Sequence, residues 1–171
     1  HWQFNHHLTM HNAPLRKFIS EFAKNTKIAP DARYSAKDAQ FDTQKNLKVV
    51  RITAVKERML YDVTRFEVKA GQPVKLEFIN PDATPHNLVI VKPGTGDEVG
   101  LAATRMAADP ALAKSGQYIP KTDKVLFHTK MVPPIAGETL RFMAPTEPGE
   151  YPYICSFPGH WTIMKGVMVV K

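Results

Sequence analysis

Apolar and polar residues alternate along most of the chain from residue 47 onward. The alternation is clearest in seven runs that Gly, Pro, Asn and Asp separate: NLKVVRITA, TRFEVKAGQPVKLEFIN, HNLVIVK, DKVLFHTK, ETLRFMA, GEYPYICS and MKGVMVVK. A period of two gives a strand one core-facing side, and several short strands with turn residues between them are typical of a sandwich. The pattern therefore predicts a mainly β fold, a Greek-key β-sandwich or barrel.

Residues 99–116, VGLAATRMAADPALAKSG, interrupt the alternation with a run that is rich in Ala and Leu. These residue types have high helix propensity. The run therefore predicts a short helix inserted between two strands.

The first 46 residues lack the period of two. Their apolar positions follow the helical spacing i, i+3, i+4 and i+7, at Leu15, Phe18, Ile19 and Phe22. Asn12 and Pro14 are suitable start signals for that helix, and residues 25–40, NTKIAPDARYSAKDAQ, have the composition of a polar linker. The chain is therefore expected to consist of an N-terminal extension with a helix and a linker (residues 1–46) and one folded domain (residues 47–171).

Composition and charge narrow the class of protein. The 171 residues are 43% hydrophobic, with no apolar run near the roughly 18 to 20 residues that cross a bilayer, so a soluble protein without a membrane span is expected. The net charge of +7 comes from 23 basic residues scattered among 16 acidic ones, without a nucleic-acid-binding motif. A basic surface that steers an acidic protein partner is favoured over nucleic-acid binding. The start, HWQFNHH, has neither an initiator Met nor a signal-peptide pattern, as expected of a processed chain or a part of a longer one.

The single cysteine, Cys155, lies in the segment CSFPGHWTIMKG together with His160 and Met164. A thiolate, imidazoles and a distant axial thioether are the ligands of blue-copper electron-transfer sites. Each of these residue types alone is commonly just a packed or hydrogen-bonded residue. Because they converge at a turn that Pro158 and Gly159 bend, between two strands, a copper site is favoured over that interpretation.

A blue-copper site needs a second imidazole, which this segment does not contain. His86 begins an apolar strand after the Pro-rich turn NPDATP and is the preferred candidate. His128 is the rival, although its place inside a strand favours an outward-facing or hydrogen-bonded side chain. In the extension, a solvated histidine cluster is favoured over a second metal site. Its members are His1, His6, His7 and His11.

The segment CSFPGHWTIMKG resembles the ligand loop of the azurins, with the same C-x4-H-x3-M spacing. The resemblance extends upstream through LAKSGQYIPKTDKVLFHTKMVPPIAGETLRF and covers roughly residues 47–171. It implies an azurin-like cupredoxin, a domain in which one mononuclear copper ion passes single electrons. It also implies that His86, Cys155 and His160 lie in the equatorial plane of the copper and that Met164 lies on its axis.

Three positions depart from the azurin pattern. Pro85 stands where azurins have a glycine whose carbonyl oxygen approaches the copper, and the triplet Pro85-His86-Asn87 is similar to that of plastocyanin. An effectively four-coordinate centre without the Pro85 carbonyl is therefore expected. Azurins also have a disulfide, which a single cysteine cannot form, and a small residue at the position of Trp161.

The resemblance further implies roles for the residues around the ligands. Asn87 should tie the two ligand segments together, and the backbone amides of Asn87 and Phe157 should donate to the Cys155 sulfur, which raises the reduction potential. His160 is expected to expose a ring edge as the electron port, beside an apolar docking rim that includes Trp161 and Pro158. Packing of Trp161 against the N-terminal extension is the alternative.

The predicted function is that of an electron carrier and not an enzyme, with redox proteins such as cytochromes or a fused or docked dehydrogenase as partners. A copper enzyme of the nitrite reductase or multicopper oxidase kind would need further histidine clusters. The alternative is a copper-delivery or storage protein, which favours exposed Met and His ligands and exchangeable Cu(I). Cupredoxins of this kind work outside the cytoplasm, so the resemblance implies a periplasmic or other extracytoplasmic location.

Overall fold

The computed structural model describes residues 34–171. The helix predicted around Leu15 and the histidine cluster of the extension lie outside the described residues. In the described part, strands dominate and the helices are short, which confirms the predicted mainly β fold. No helix in this part is long and apolar enough to cross a lipid bilayer.

The strands form two sheets. They are Lys48–Val55 (β1), Leu60–Tyr61 (β2), Arg65–Val68 (β3), Pro73–Asn80 (β4), Val89–Val91 (β5), Val125–His128 (β6), Ala136–Met143 (β7), Gly149–Ile154 (β8) and Lys165–Val170 (β9). The first sheet has the order β2-β1-β4-β7 and the second the order β3-β9-β8-β5-β6. Both sheets are mixed, since β1 pairs with β4 and β3 with β9 in parallel, while the other pairs are antiparallel.

The hydrophobic core lies between the two sheets. Alternate residues of each strand point into it, as the burial pattern of β3 illustrates, with Phe66 and Val68 buried and Arg65 and Glu67 exposed. Large core side chains with no exposed surface come from both sheets, among them Ile52, Leu76, Phe78, Tyr153 and Met168. The seven alternating runs overlap every strand except β2, which is too short to show a period, although β1 ends one residue after its run and β7 begins two residues before its run.

The inserted helix is present, but it begins three residues before the predicted stretch of residues 99–116 and is divided into two helices. It consists of Gly96–Ala108 (α2) and Pro110–Ala113 (α3), between β5 and β6. Asp109 ends α2 and caps α3 through its side chain, which accepts a hydrogen bond from the Ala111 amide at 2.9 Å. The division follows because Pro110 cannot continue the hydrogen bonding of α2 but suits the first position of a new helix. Val99 packs α2 onto the outer face of the second sheet.

A further helix, Ala36–Asp42 (α1), lies within and just beyond the stretch predicted as a polar linker. For these residues the linker prediction is wrong, because Ser35 and Asp38 form a capping box that starts a helix. Asp42 at the end of α1 accepts two hydrogen bonds from Arg141 on β7, at 2.8 and 3.0 Å. Lys75 on β4 adds a contact of 3.2 Å to the same carboxylate, so α1 is fixed to the first sheet.

Candidate metal centre

The four predicted ligands lie on two segments at one end of the sandwich. His86 follows the turn after β4, where its backbone pairs with Val132 through hydrogen bonds of 3.1 and 2.8 Å. Cys155 directly follows β8, and Met164 directly precedes β9. His160 lies in the loop between them, where Gly159 takes the left-handed conformation (φ of 83°) that favours glycine. The antiparallel pairing of β8 and β9 thus returns the chain to the same place.

The sulfur of Cys155 lies 3.7 Å from Nδ1 of His86 and 3.7 Å from Nδ1 of His160. Metal bonds of about 2.3 Å to sulfur and about 2.0 Å to nitrogen that diverge by about 120° place the two donor atoms about 3.7 Å apart. All three donor atoms lie within 4.8 Å of one another. The spacing therefore fits one ion held in a trigonal plane.

Met164 is fully buried in the same core cluster as Cys155. Its backbone connects the ligand segments, since its amide donates to the His160 carbonyl at 2.8 Å and its carbonyl accepts from the Cys155 amide at 3.0 Å. A thiolate, two imidazoles and a thioether form a donor set suited to copper. The residues present therefore fit the metal that the sequence predicts.

Cys155 is fully buried, and burial raises the pKa of its thiol to about 11. The backbone amides of Asn87 and Phe157 donate to the sulfur and partly offset this rise in the pKa. Without metal, the thiol is therefore protonated at neutral pH. The two amides already face the sulfur, so they are in place to stabilise a thiolate when metal displaces the proton.

His160 is neutral at physiological pH. Burial, followed by the influence of the neighbouring His86, lowers its pKa to about 4, while Asp82 acts in the opposite direction. A neutral imidazole keeps a lone pair for a metal. His160 is 7% exposed and His86 has no exposed surface, so of the two histidines only His160 reaches solvent.

Asp82 is a residue of this site that was not predicted from the sequence. Its Oδ2 lies 2.8 Å from Nε2 of His86, the ring nitrogen that faces away from Cys155. Burial acts to raise the pKa of the Asp82 carboxyl, but hydrogen bonds from His86 and from the amides of Ala83 and Glu57 outweigh it and lower the pKa. A carboxylate four residues before a candidate ligand, within the same Pro-rich turn, was the available signal.

Asn87 links the two ligand segments. Its Oδ1 accepts from the Ser156 amide at 2.7 Å and its Nδ2 donates to the Ser156 hydroxyl at 2.8 Å. That hydroxyl donates onward to the Tyr118 carbonyl at 2.7 Å. On the other side, the buried Tyr61 hydroxyl donates to the Asn87 carbonyl at 2.6 Å. Ser156 and Tyr61 are further supports that the sequence did not reveal.

Of the other residues predicted around the site, three are neighbours of the candidate ligands and one, His128, is not. Pro85 and Pro158 are half-buried beside them. Phe157 packs its ring against that of His160, with centroids 4.6 Å apart. His128, the rival ligand, is not part of the cluster; it is exposed, and its Nδ1 lies 2.8 Å from the Thr129 carbonyl oxygen.

Trp161 packs on helix α2. A Cβ added at Gly100 would overlap its indole ring, and its Nε1 donates to the Thr104 hydroxyl at 3.1 Å. Trp161 is consequently half-buried within the folded domain. Ile163, next to Met164 in the chain, exposes 47% of its surface. Ile163 had not been singled out from the sequence.

Sequence comparisons identify relatives of this chain. Residues 48–171 match the family model described as copper binding proteins, plastocyanin/azurin family. Auracyanin-A from Chloroflexus aurantiacus is 34% identical over 125 residues, which cover 71% of this chain and 74% of that protein. An azurin from Achromobacter denitrificans is 38% identical over 89 residues, covering 50% of this chain and 56% of the azurin.

Solved structures agree with these relatives. The dithionite-reduced auracyanin from Roseiflexus castenholzii superposes with a TM-score of 0.64 at 34% identity, over 72% of this chain and 97% of that one. Auracyanin A from Chloroflexus aurantiacus, described as a "blue" copper protein, gives a TM-score of 0.63 at 30% identity, over 73% of this chain and 99% of its own length. The chain therefore belongs to the plastocyanin/azurin family of copper binding proteins and is an azurin-like cupredoxin with one mononuclear copper.

Proposed function

We propose that this chain carries single electrons, holding one copper through His86, Cys155, His160 and Met164 as the metal alternates between Cu(II) and Cu(I). The observation that carries the proposal is the position of the Cys155 sulfur, 3.7 Å from one nitrogen of each histidine. A bound copper supplies a redox centre that accepts and returns one electron. The protein supplies a fixed set of donors around it.

Rigidity of the donors supports a carrier. Fast electron transfer needs ligands that move little between the two oxidation states, so the protein must fix them independently of the metal. Here Asn87 and Ser156 exchange two hydrogen bonds between the ligand segments, and Met164 is tied to both Cys155 and His160 through its backbone. The partners that orient ligands in this way also tune the metal.

We propose His160 as the electron port, because it alone of the two histidines has exposed surface. Apolar residues follow and precede it in the loop, with Pro158 half-buried and Ile163 exposed. A small apolar patch suits the short-lived contacts of redox partners. The half-buried Trp161 adds to this patch, while its ring packs on α2.

The proposed partners are redox proteins such as cytochromes or a fused or docked dehydrogenase. The net charge of +7 favours an acidic partner, because opposite charges steer encounter. Electron-transfer rates with several such partners test the docking role of this patch. Ile163→Ser should slow transfer without changing the visible spectrum, while Leu112→Ser, an equally exposed leucine on α3, is the matched control. Equal electron-transfer rates for the two variants and the unaltered protein would exclude a role of the apolar patch in docking.

The alternative function is copper delivery or storage, which requires accessible and exchangeable Cu(I). The full burial of Cys155 and Met164 favours the carrier. Titration of the metal-free protein with Cu(II) distinguishes the two. An intense blue colour that saturates at one equivalent, disappears on reduction and returns on oxidation supports the carrier, whereas a colourless complex that loses Cu(I) to a chelator supports delivery.

We further propose an extracytoplasmic location, periplasmic or on the outer cell surface, and a division into an extension of residues 1–46 and a copper-binding domain of residues 47–171. The contact of α1 with Arg141 indicates that the end of the extension packs on the domain. Fractionation of cells that express the natural protein tests the location. Limited proteolysis tests the division, with resistance to cleavage expected throughout residues 47–171.

A further inference from the structure

We propose that Asp82 is a positioning residue for the copper centre, whose carboxylate aims His86 at the metal and favours the oxidised over the reduced ion. The inference rests on the proposed function, since it concerns how the same centre is tuned. Its basis is a buried hydrogen-bonded contact, because Asp82 Oδ2 lies 2.8 Å from His86 Nε2 and the two side chains expose 6% and 0% of their surface.

The first step concerns the proton of His86. The two ring nitrogens have different neighbours, with Nε2 against Asp82 and Nδ1 at 3.7 Å from the Cys155 sulfur. A carboxylate can only accept hydrogen bonds, so Nε2 must carry the proton. Nδ1 is then left with a lone pair that points at the metal position. Asp82 thus selects the tautomer and the ring orientation that binding requires.

The second step concerns what holds Asp82. Its Oδ1 accepts from the Ala83 amide at 2.8 Å and from the Glu57 amide at 3.3 Å. Asn80 fixes the turn, because its Oδ1 accepts from the Asp82 amide at 3.0 Å and its Nδ2 donates to the Val132 carbonyl at 2.9 Å. Val132 in turn pairs with the backbone of His86. The carboxylate is therefore held from both sides, independently of any metal.

The third step is electrostatic. A negative charge separated from the metal only by one imidazole ring, in a buried site of low dielectric, stabilises Cu(II) more than Cu(I). Loss of a partner of this kind typically weakens metal binding by 10-fold to 100-fold. A tenfold loss confined to Cu(II) corresponds to a rise of about 59 mV in the reduction potential. Asp82 should therefore keep the potential below the value that the thiolate, imidazoles and apolar surroundings alone would set.

The experiment compares Asp82→Asn, which keeps an oxygen but removes the charge, with Asp82→Ala, which removes both. Asp62→Asn is the matched control, because Asp62 also accepts from a backbone amide, that of Thr53 at 2.7 Å, and contacts none of the ligands. Each variant is loaded with copper and titrated for its reduction potential and its Cu(II) affinity. We expect a roughly tenfold loss of Cu(II) affinity and a rise of about 59 mV in Asp82→Asn, and an equal or larger change in Asp82→Ala.

Unchanged potentials in both Asp82 variants, relative to Asp62→Asn, would overturn the electrostatic role. The tautomer is tested without variants and without copper, by the ¹⁵N chemical shifts of the His86 ring in the metal-free protein. A protonated Nε2 supports the proposal, and a protonated Nδ1 contradicts it even if the Asp82 variants fail to fold. If the unaltered protein does not turn blue with Cu(II), the carrier function fails; if it does and the potentials are equal, only the role of Asp82 fails.

Discussion

The indole of Trp161 lies directly on Gly100, so that the residue next to the proposed copper ligand His160 is packed against the inserted helix α2. The same ring donates a hydrogen bond to Thr104, one turn further along the helix. Helix α2 is therefore a support of the ligand loop and not only an insertion between β5 and β6. Trp161 was expected at the docking rim or against the extension, and the contact with α2 was not foreseen.

Gly100→Ala should destabilise the protein, because the added methyl group overlaps the Trp161 ring. Overpacking of this kind typically costs about 1–3 kcal/mol, partly offset by the better helix propensity of alanine, about 1 kcal/mol. Urea unfolding of the metal-free protein measures the difference. Gly96→Ala is the control, since its Cβ would meet Pro152 at 3.5 Å, an ordinary contact. Equal stability of the two variants would mean that the ring moves aside freely.

Asn87→Ala should cost more stability than most single substitutions at this end of the molecule. It removes both hydrogen bonds to Ser156 and leaves the Ser156 amide buried without a partner, a loss of about 1–3 kcal/mol. Ser156→Ala removes one of the two bonds. The double variant should be less destabilised than the sum of the single ones, by at least about 0.5 kcal/mol. Additive free energies of unfolding would show that the two side chains act independently.

Copper binding at pH 7 should release about one proton per ion. The reason is that burial holds the pKa of the Cys155 thiol at about 11 and lowers that of His160 to about 4, so the thiol carries the proton that metal displaces. Calorimetric titration in two buffers of different ionisation enthalpy counts the protons. Cys155→Ser should bind copper more weakly, release no proton and give no blue colour. A wild-type titration that is independent of the buffer would contradict a protonated thiol.

Asp42→Asn should detach α1 and lower stability at neutral pH by about 2 kcal/mol. The hydrogen bonds from Arg141, ahead of those from Lys75 and Tyr34, lower the pKa of Asp42 from 3.8 to about 2. Because the folded pKa is depressed, the contribution is complete above about pH 4 and disappears as the pH falls toward about 2. The stability difference between wild type and variant, measured from pH 7 to pH 3, should therefore shrink below pH 4.

Glu67→Gln serves as the control for that experiment, because Glu67 pairs with Lys171 where both side chains are more than half exposed. Exposed pairs contribute about 0–1 kcal/mol. If Glu67→Gln and Asp42→Asn lower the free energy of unfolding equally, the contacts of Asp42 with Arg141 and Lys75 stabilise the protein no more than an exposed ion pair does.

The parts of the site whose residues lie close together in the chain could be predicted from the sequence. Cys155, His160 and Met164 lie within ten residues, and strands on either side bring them together, so their spacing alone indicated a site. His86 could be preferred to His128 because only the former begins an apolar run after a Pro-rich turn. The roles of Asp82 and Ser156 were not predicted. They depend on contacts of the turn before His86 and of the loop after β8, and the periodicity of the sequence does not show which segments are in contact in the fold.

Helix α1 was not predicted from the sequence for a different reason. Seven residues are too few for a helix to be stable by propensity alone, so its existence depends on the capping box and on contacts with Arg141 and Lys75, which are distant in the sequence. The packing of Trp161 on Gly100 likewise joins residues 61 positions apart (161 minus 100). Interactions of this kind become visible only once the fold is known.

The measurement that tests the central claim most directly is the anomalous X-ray diffraction of crystals loaded with one equivalent of copper. A single copper peak should lie between the Cys155 sulfur and the Nδ1 atoms of His86 and His160, with the Met164 thioether further away on the axis. Copper bound elsewhere on the chain, or through the opposite nitrogen of His86, would contradict the account.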